Sequence, residues 1–102
     1  MGSEGSEAGV FVVNIKREYF SKIVSGKKTV EYRDITPYWT NRLRTYHAPF
    51  LMRIINGMTH PIPEATVKVT RVRSNMTTGQ YGLRLGTVRA VKHWDRRRGQ
   101  PR

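Results

Sequence analysis

Phe11, Val13 and Ile15 alternate with Val12, Asn14 and Lys16, a period of two with one strongly apolar face, and this predicts a first strand. Directly after it the period changes. In REYFSKIVSG, Phe20, Ile23 and Val24 fall at i, i+3 and i+4, Lys22 sits in the last turn and Gly26 follows as a C-terminal cap, which predicts a helix of about two turns. KKTVEYRD returns to alternation. Val30 and Tyr32 are expected on a side that enters the core, with Thr29, Glu31 and Arg33 on a side that displays charge. Residues 35–49 hold Pro37, Pro49 and the cluster Tyr38, Trp39, Tyr46 and His47 without a clean period, and read as a loop with at most one helical turn.

The second half reads as strands. Phe50 to Ile55 forms one, Asn56 and Gly57 signal a turn, and Pro61 and Pro63 keep the connection extended. In EATVKVTRVR the apolar phase moves from Val67 and Val69 to Val72, so a bulge is expected near Thr70 or Arg71. Tyr81, Leu83 and Leu85 predict a further strand whose phase shifts after Gly86 to Val88 and Ala90, which implies a bend at the glycine; Trp94 is expected to close the core. Five or so short, curved strands with a helix after the first define the fold class. It is mainly β with one or two short helices (α+β), rolled into a small mixed β-barrel. An open antiparallel sheet with the helix on one face fits the same pattern.

Composition separates the ends from the middle. Residues 1–9 are Gly, Ser, Glu and Ala apart from Met1, and are expected to be a flexible leader; residues 96–102 are expected to be a basic flexible tail. Between them, residues 10–95 form the expected domain. The 102 residues hold 19 Lys and Arg against 7 Asp and Glu, a formal charge of +12, and residues 10–94 alone carry 15 bases and 4 acids. The charge therefore belongs to the domain, and its expected partner is a nucleic acid, RNA or DNA. With no cysteine and three scattered histidines, no metal and no cofactor are expected. No apolar run approaches the ~18 residues of a membrane span, so the expectation is a cytoplasmic protein with no membrane partner.

Gly26, Lys28, Glu31 and Arg33 stand in the order Gly, any residue, Lys, two of any kind, Glu, any residue, Arg, behind a strand, a helix and a glycine. This stretch resembles the ASCH domain family. FLMRIINGM and YGLRLGTVRAVKHW are similar to strands of the short ASCH proteins of phages and prophages, so the resemblance covers about residues 10–95. It implies a barrel related to the PUA fold, with the motif lining a cleft between barrel and helix. It also implies a choice of activities, since members of the family include RNA-binding modules, ribonucleases and hydrolases of acetylated cytidine. Towards the last branch the chain matches Lys28 and Thr29, but it carries Glu31 where that branch has a catalytic threonine. Glu64 is the only later glutamate.

The residue types themselves suggest a binding site. Glu31 and Arg33 lie two apart on one strand face with Thr29 beside them, and Lys28 enters from the turn. A carboxylate held between two cations is an orienting acceptor, while Lys28 and Arg33 grip phosphate; Lys27 adds charge next to them. If the cleft is catalytic instead, Lys28, Glu31 and Thr29 are its candidate groups, with Tyr32, Tyr38 and His47 as proton-transfer candidates for a ribonuclease. Tyr38 and Trp39, followed by Arg42 and Arg44, combine stacking surface with cations, as single-stranded RNA requires. Lys68, with Arg71 and Arg73 across the expected bulge, forms a basic stripe, or simply a solvated face.

Overall fold

The computed structural model describes residues 5–7 and 10–102. The strands are β1 (Gly5–Glu7), β2 (Val10–Asn14), β3 (Val30–Asp34), β4 (Phe50–Ile55), β5 (Glu64–Asn75), β6 (Gln80–Lys92), β7 (Trp94–Asp95) and β8 (Gln100–Pro101). Two helices, α1 (Arg17–Val24) and α2 (Pro37–Thr45), flank β3 in the chain. The first six strands make one sheet in the order β1-β2-β4-β5-β6-β3, with β2 and β4 parallel and every other neighbouring pair antiparallel. This mixed sheet curls into a half-barrel, so the fold is a small α+β barrel type, as the strand pattern implied.

The curl comes from the two long strands. From the pair Val69↔Leu85 to the pair Arg71↔Arg84, β5 advances one residue more than β6, which places a bulge at Thr70. From Val67↔Val88 to Val69↔Leu85 the extra residue lies in β6, beside Gly86. A Cβ on Gly86 would stand 3.0 Å from Thr70 Cγ2, so the two irregularities pack against each other. A third shift, between Glu64 and Thr66, accompanies Ala90 at φ 55°. Both phase breaks in the sequence are therefore real bulges.

Inside the curl lie Phe11 and Val13 of β2 with Ile15 just after it, Met52 and Ile54 of β4, Ala65, Val67 and Val69 of β5, and Leu83 and Leu85 of β6, covered by Phe20, Ile23 and Val24 of α1. Trp94 closes this core as expected, with its ring edge-on to Phe20 at 4.8 Å.

Several expectations change. Residues 35–49 hold a nine-residue helix, not a loop: Thr36 Oγ1 accepts from Trp39 N at 3.2 Å and Pro37 opens the first turn. Residues 96–102 include β8, and Gly99 at φ 66° completes a hairpin in which Asp95 accepts from the backbone of Arg97 and Arg98. Within the expected leader, Gly5–Glu7 pairs with Val10–Val12 as β1, and residues 1–4 and 8–9 lie outside the described residues. Among the described residues no helix is long and apolar enough to cross a membrane.

Candidate functional site

The turn after α1 delivers Lys28. Gly26 takes φ 81°, a left-handed conformation that costs a side-chain-bearing residue roughly 1–2 kcal/mol, and Lys28 N then donates to Lys22 O at 2.9 Å. The chain enters β3 with Glu31 facing inward. It is 7% exposed, and its strand partner is the fully buried Leu83. Tyr32, expected in the core, faces outward and is 56% exposed.

The strand is thus turned over relative to the apolar reading, and the reason lies in the partners. Glu31 is buried with its own counter-charges, Lys28 Nζ at 3.5 Å from Oε1 and Arg33 Nε at 3.0 Å from Oε2. Such pairing offsets the desolvation of a carboxylate. A tyrosine loses little by leaving the core, since its hydroxyl stays in water and its ring still covers neighbouring surface.

Arg33 is fixed on three sides. Besides Glu31, it donates through Nη2 to Asn14 O at 3.2 Å, and its guanidinium lies 5.0 Å from the Trp39 ring centroid. Trp39 is 7% exposed and stacks on Phe11 at 5.6 Å, so it closes the end of the barrel. Arg42 follows the same pattern, 4.4 Å from the Phe11 ring centroid, with Nη1 donating to Tyr38 Oη at 3.0 Å and Nη2 to Val12 O at 3.4 Å. The two guanidiniums bind carbonyls in the second half of β2, where β1 pairs Val12 but not Asn14. Thr40 Oγ1 and Tyr81 Oη, 2.6 Å apart, anchor α2 to β6.

These elements enclose an open cleft of about 730 Å³. Glu31, Arg33 and Trp39 line it together with three exposed or half-exposed tyrosines: Tyr19 at 40%, Tyr32 at 56% and Tyr38 at 49%. Lys28 does not line the cleft itself but stands behind its wall, with Nζ 5.3 Å from the Tyr19 centroid and 5.5 Å from that of Tyr32. Lys16 and Asp34 also line the cleft. An ionised carboxylate offers about four acceptor positions, so Glu31 can accept from a ligand while keeping both cations.

The structure brings together Lys28, Glu31, Tyr32, Arg33, Tyr38 and Trp39, keeps Arg42 against Tyr38 and Trp39, and separates the rest. Thr29 is exposed and does not line this cleft; Arg44 and His47 are exposed and do not line it either. Lys27 faces a different basic cleft, shared with Arg96, Arg97 and Arg98. Lys68, Arg71 and Arg73 are exposed on the outer face of the sheet, because the Thr70 bulge puts residues from both sides of it on one face. Glu64 alternates with buried Ala65, points outward, and pairs with Arg53 through two bonds of 3.2 Å, with no lining residue shared between its cleft and that of Glu31. A distant catalytic carboxylate acting with Lys28 is not assembled.

Tyr19 and Lys16 were not anticipated. The available signal was Tyr19 itself, an aromatic standing off the Phe20, Ile23, Val24 stripe of its helix. No protein-family model matches the chain, and no curated protein is significantly similar to it.

Proposed function

We propose that the protein is a single-stranded RNA-binding module that takes an unstacked base into the cleft above Glu31. The observation that carries this reading is the trio Tyr19, Tyr32 and Tyr38, all substantially exposed around one buried, doubly paired carboxylate. Exposed aromatic rings stack bases, and single-stranded RNA is read by such stacking together with hydrogen bonds to base edges. Glu31, held in position by Lys28 and Arg33, accepts from a base amine or imine N–H. Lys16 and Lys28 meet the adjoining phosphates, and the +12 charge draws the polyanion in. Carrying both cations, Glu31 orients; it is not set up as a free general base. The resemblance of the Gly26 to Arg33 stretch to ASCH domains agrees with this reading.

The test is a titration of isotope-labelled protein with short single-stranded RNA, and separately with cytidine and acetylated cytidine, following backbone amide shifts and the integrity of each ligand. Shifts clustered at residues 14–39 with every ligand intact are expected. Affinity for the RNA should fall roughly tenfold or more between about 50 and 200 mM salt, as neutralising even a few phosphates requires. An affinity that ignores salt, or shifts confined to residues 96–98, would overturn the proposal. Product appearing from acetylated cytidine would replace binding with catalysis.

A further inference from the structure

Tyr32 belongs to two clefts. Its inner neighbours are those of Glu31, but it also lines an open groove of about 760 Å³ on the outer face of β3, β6 and β5. Strand register lays out that groove. Val30, Arg84 and Arg71 form one row across the three strands, and Tyr32, Gly82 and Arg73 form the next. Directly paired residues point to the same side of a sheet, so all six share one face. Gly82 puts no side chain into its row, and a Cβ there would lie 3.6 Å from Tyr32 Cε1, so the tyrosine ring rests over bare strand. No acid is among the lining residues of this groove. Arg71 and Arg84 stand opposite each other as a like-charged cross-strand pair, an arrangement that destabilises a free sheet.

A face that keeps opposed arginines beside an exposed aromatic ring is arranged for an anion with flat groups. We infer that the ligand is a single-stranded polymer of nucleotides that continues from the Glu31 cleft over β3 onto this outer face. Tyr32 stacks the next base, and Arg71, Arg73 and Arg84 take its phosphates. Planar guanidiniums suit both phosphate and base surfaces, which favours a nucleic acid over an acidic peptide. The inference rests on the cleft reading, because the cleft holds the first base, and it adds the path that the strand takes beyond the cleft, over β3 and onto Arg71, Arg73 and Arg84.

The test compares uridine monophosphate with uridylate oligomers of about two and about eight nucleotides, as RNA and as DNA. Binding is measured for the wild type and for the double variant Arg71→Gln, Arg84→Gln. The wild type should bind the longest oligomer at least about tenfold more tightly than the mononucleotide. In the variant the mononucleotide affinity should stay within about twofold while the gain with length disappears. A preserved amide spectrum and an undiminished melting temperature in the free variant will show that it folds.

A gain with length that survives the double substitution, or that is missing in the wild type, overturns the outer path. Mononucleotide binding with shifts at Tyr19 and Tyr38 leaves the cleft reading standing in that case. Oligomer binding that needs Arg71 and Arg84 but never perturbs Tyr19 and Tyr38 overturns the cleft reading and the path that starts from it. Equal competition by polyglutamate overturns the assignment to nucleic acid, and the RNA and DNA arms decide which sugar is preferred.

Discussion

Glu31 and Lys28 form one ion pair, yet removing either partner should give different results. Glu31 is 7% exposed and holds both cations, so Glu31→Ala takes the counter-charge away from the part-buried Arg33 guanidinium beside Trp39. The expected loss of stability is about 1.5–3 kcal/mol, measured by urea denaturation. Lys28 reaches its partner at 3.5 Å, and its side chain is 19% exposed. Lys28→Ala should cost at most about 1 kcal/mol while weakening RNA binding, so that stability and affinity part company at this position. The grouping of Lys28, Glu31 and Arg33 was legible because Glu31 and Arg33 share one strand face and Lys28 stands in the turn that leads into it. The direction of that face was not, because alternation defines two faces and the apolar count at Val30 and Tyr32 favours the wrong one. Only the counter-ions decide it, and one of them comes from the turn outside the strand.

Helix α2 shows why a segment of mixed polarity is hard to read. Its only buried residue is Trp39, with Leu43 partly buried one turn on, so the apolar stripe is too narrow to stand out as a period. The start signal was nonetheless in the chain, in Thr36 followed by Pro37. Thr36→Ala should destabilise the protein by about 1 kcal/mol in thermal or chemical melts, and should perturb the amide signals of Tyr38 and Trp39 first. In β6, Ala90 adopts φ 55° while exposed, a conformation that glycine accepts more readily. Ala90→Gly is expected to raise stability by about 0.5–1 kcal/mol, and a lower melting temperature would contradict the left-handed backbone there. The bulges at Thr70 and Gly86, by contrast, were legible, because a register change moves the whole apolar set to the other face.

For the molecule as a whole, a charge of +12 on 102 residues sets two salt effects against each other. Screening relieves self-repulsion in the free fold, so its melting temperature should rise by a few degrees between about 50 and 500 mM salt. Over the same range, affinity for RNA should fall, which calorimetry and a binding titration on the same samples will show. The half-barrel itself was legible from five curved strands and two phase breaks, whereas the short pairings of β1 and β8 were not, since neither segment has an apolar pattern. Across the opening of the half-barrel, guanidiniums tie β3 and α2 to β2, Arg33 on Asn14 O and Arg42 on Val12 O. Side-chain bonds of this kind can break without disturbing any strand pair. Hydrogen exchange should therefore divide the molecule unevenly, with amides in the middle of β5 and β6 exchanging only on global unfolding. Amides of β3, an edge strand with a ladder on one side only, should exchange through a cheaper local opening, in which the seam parts and the strand then frays from β6 while the rest of the protein stays folded.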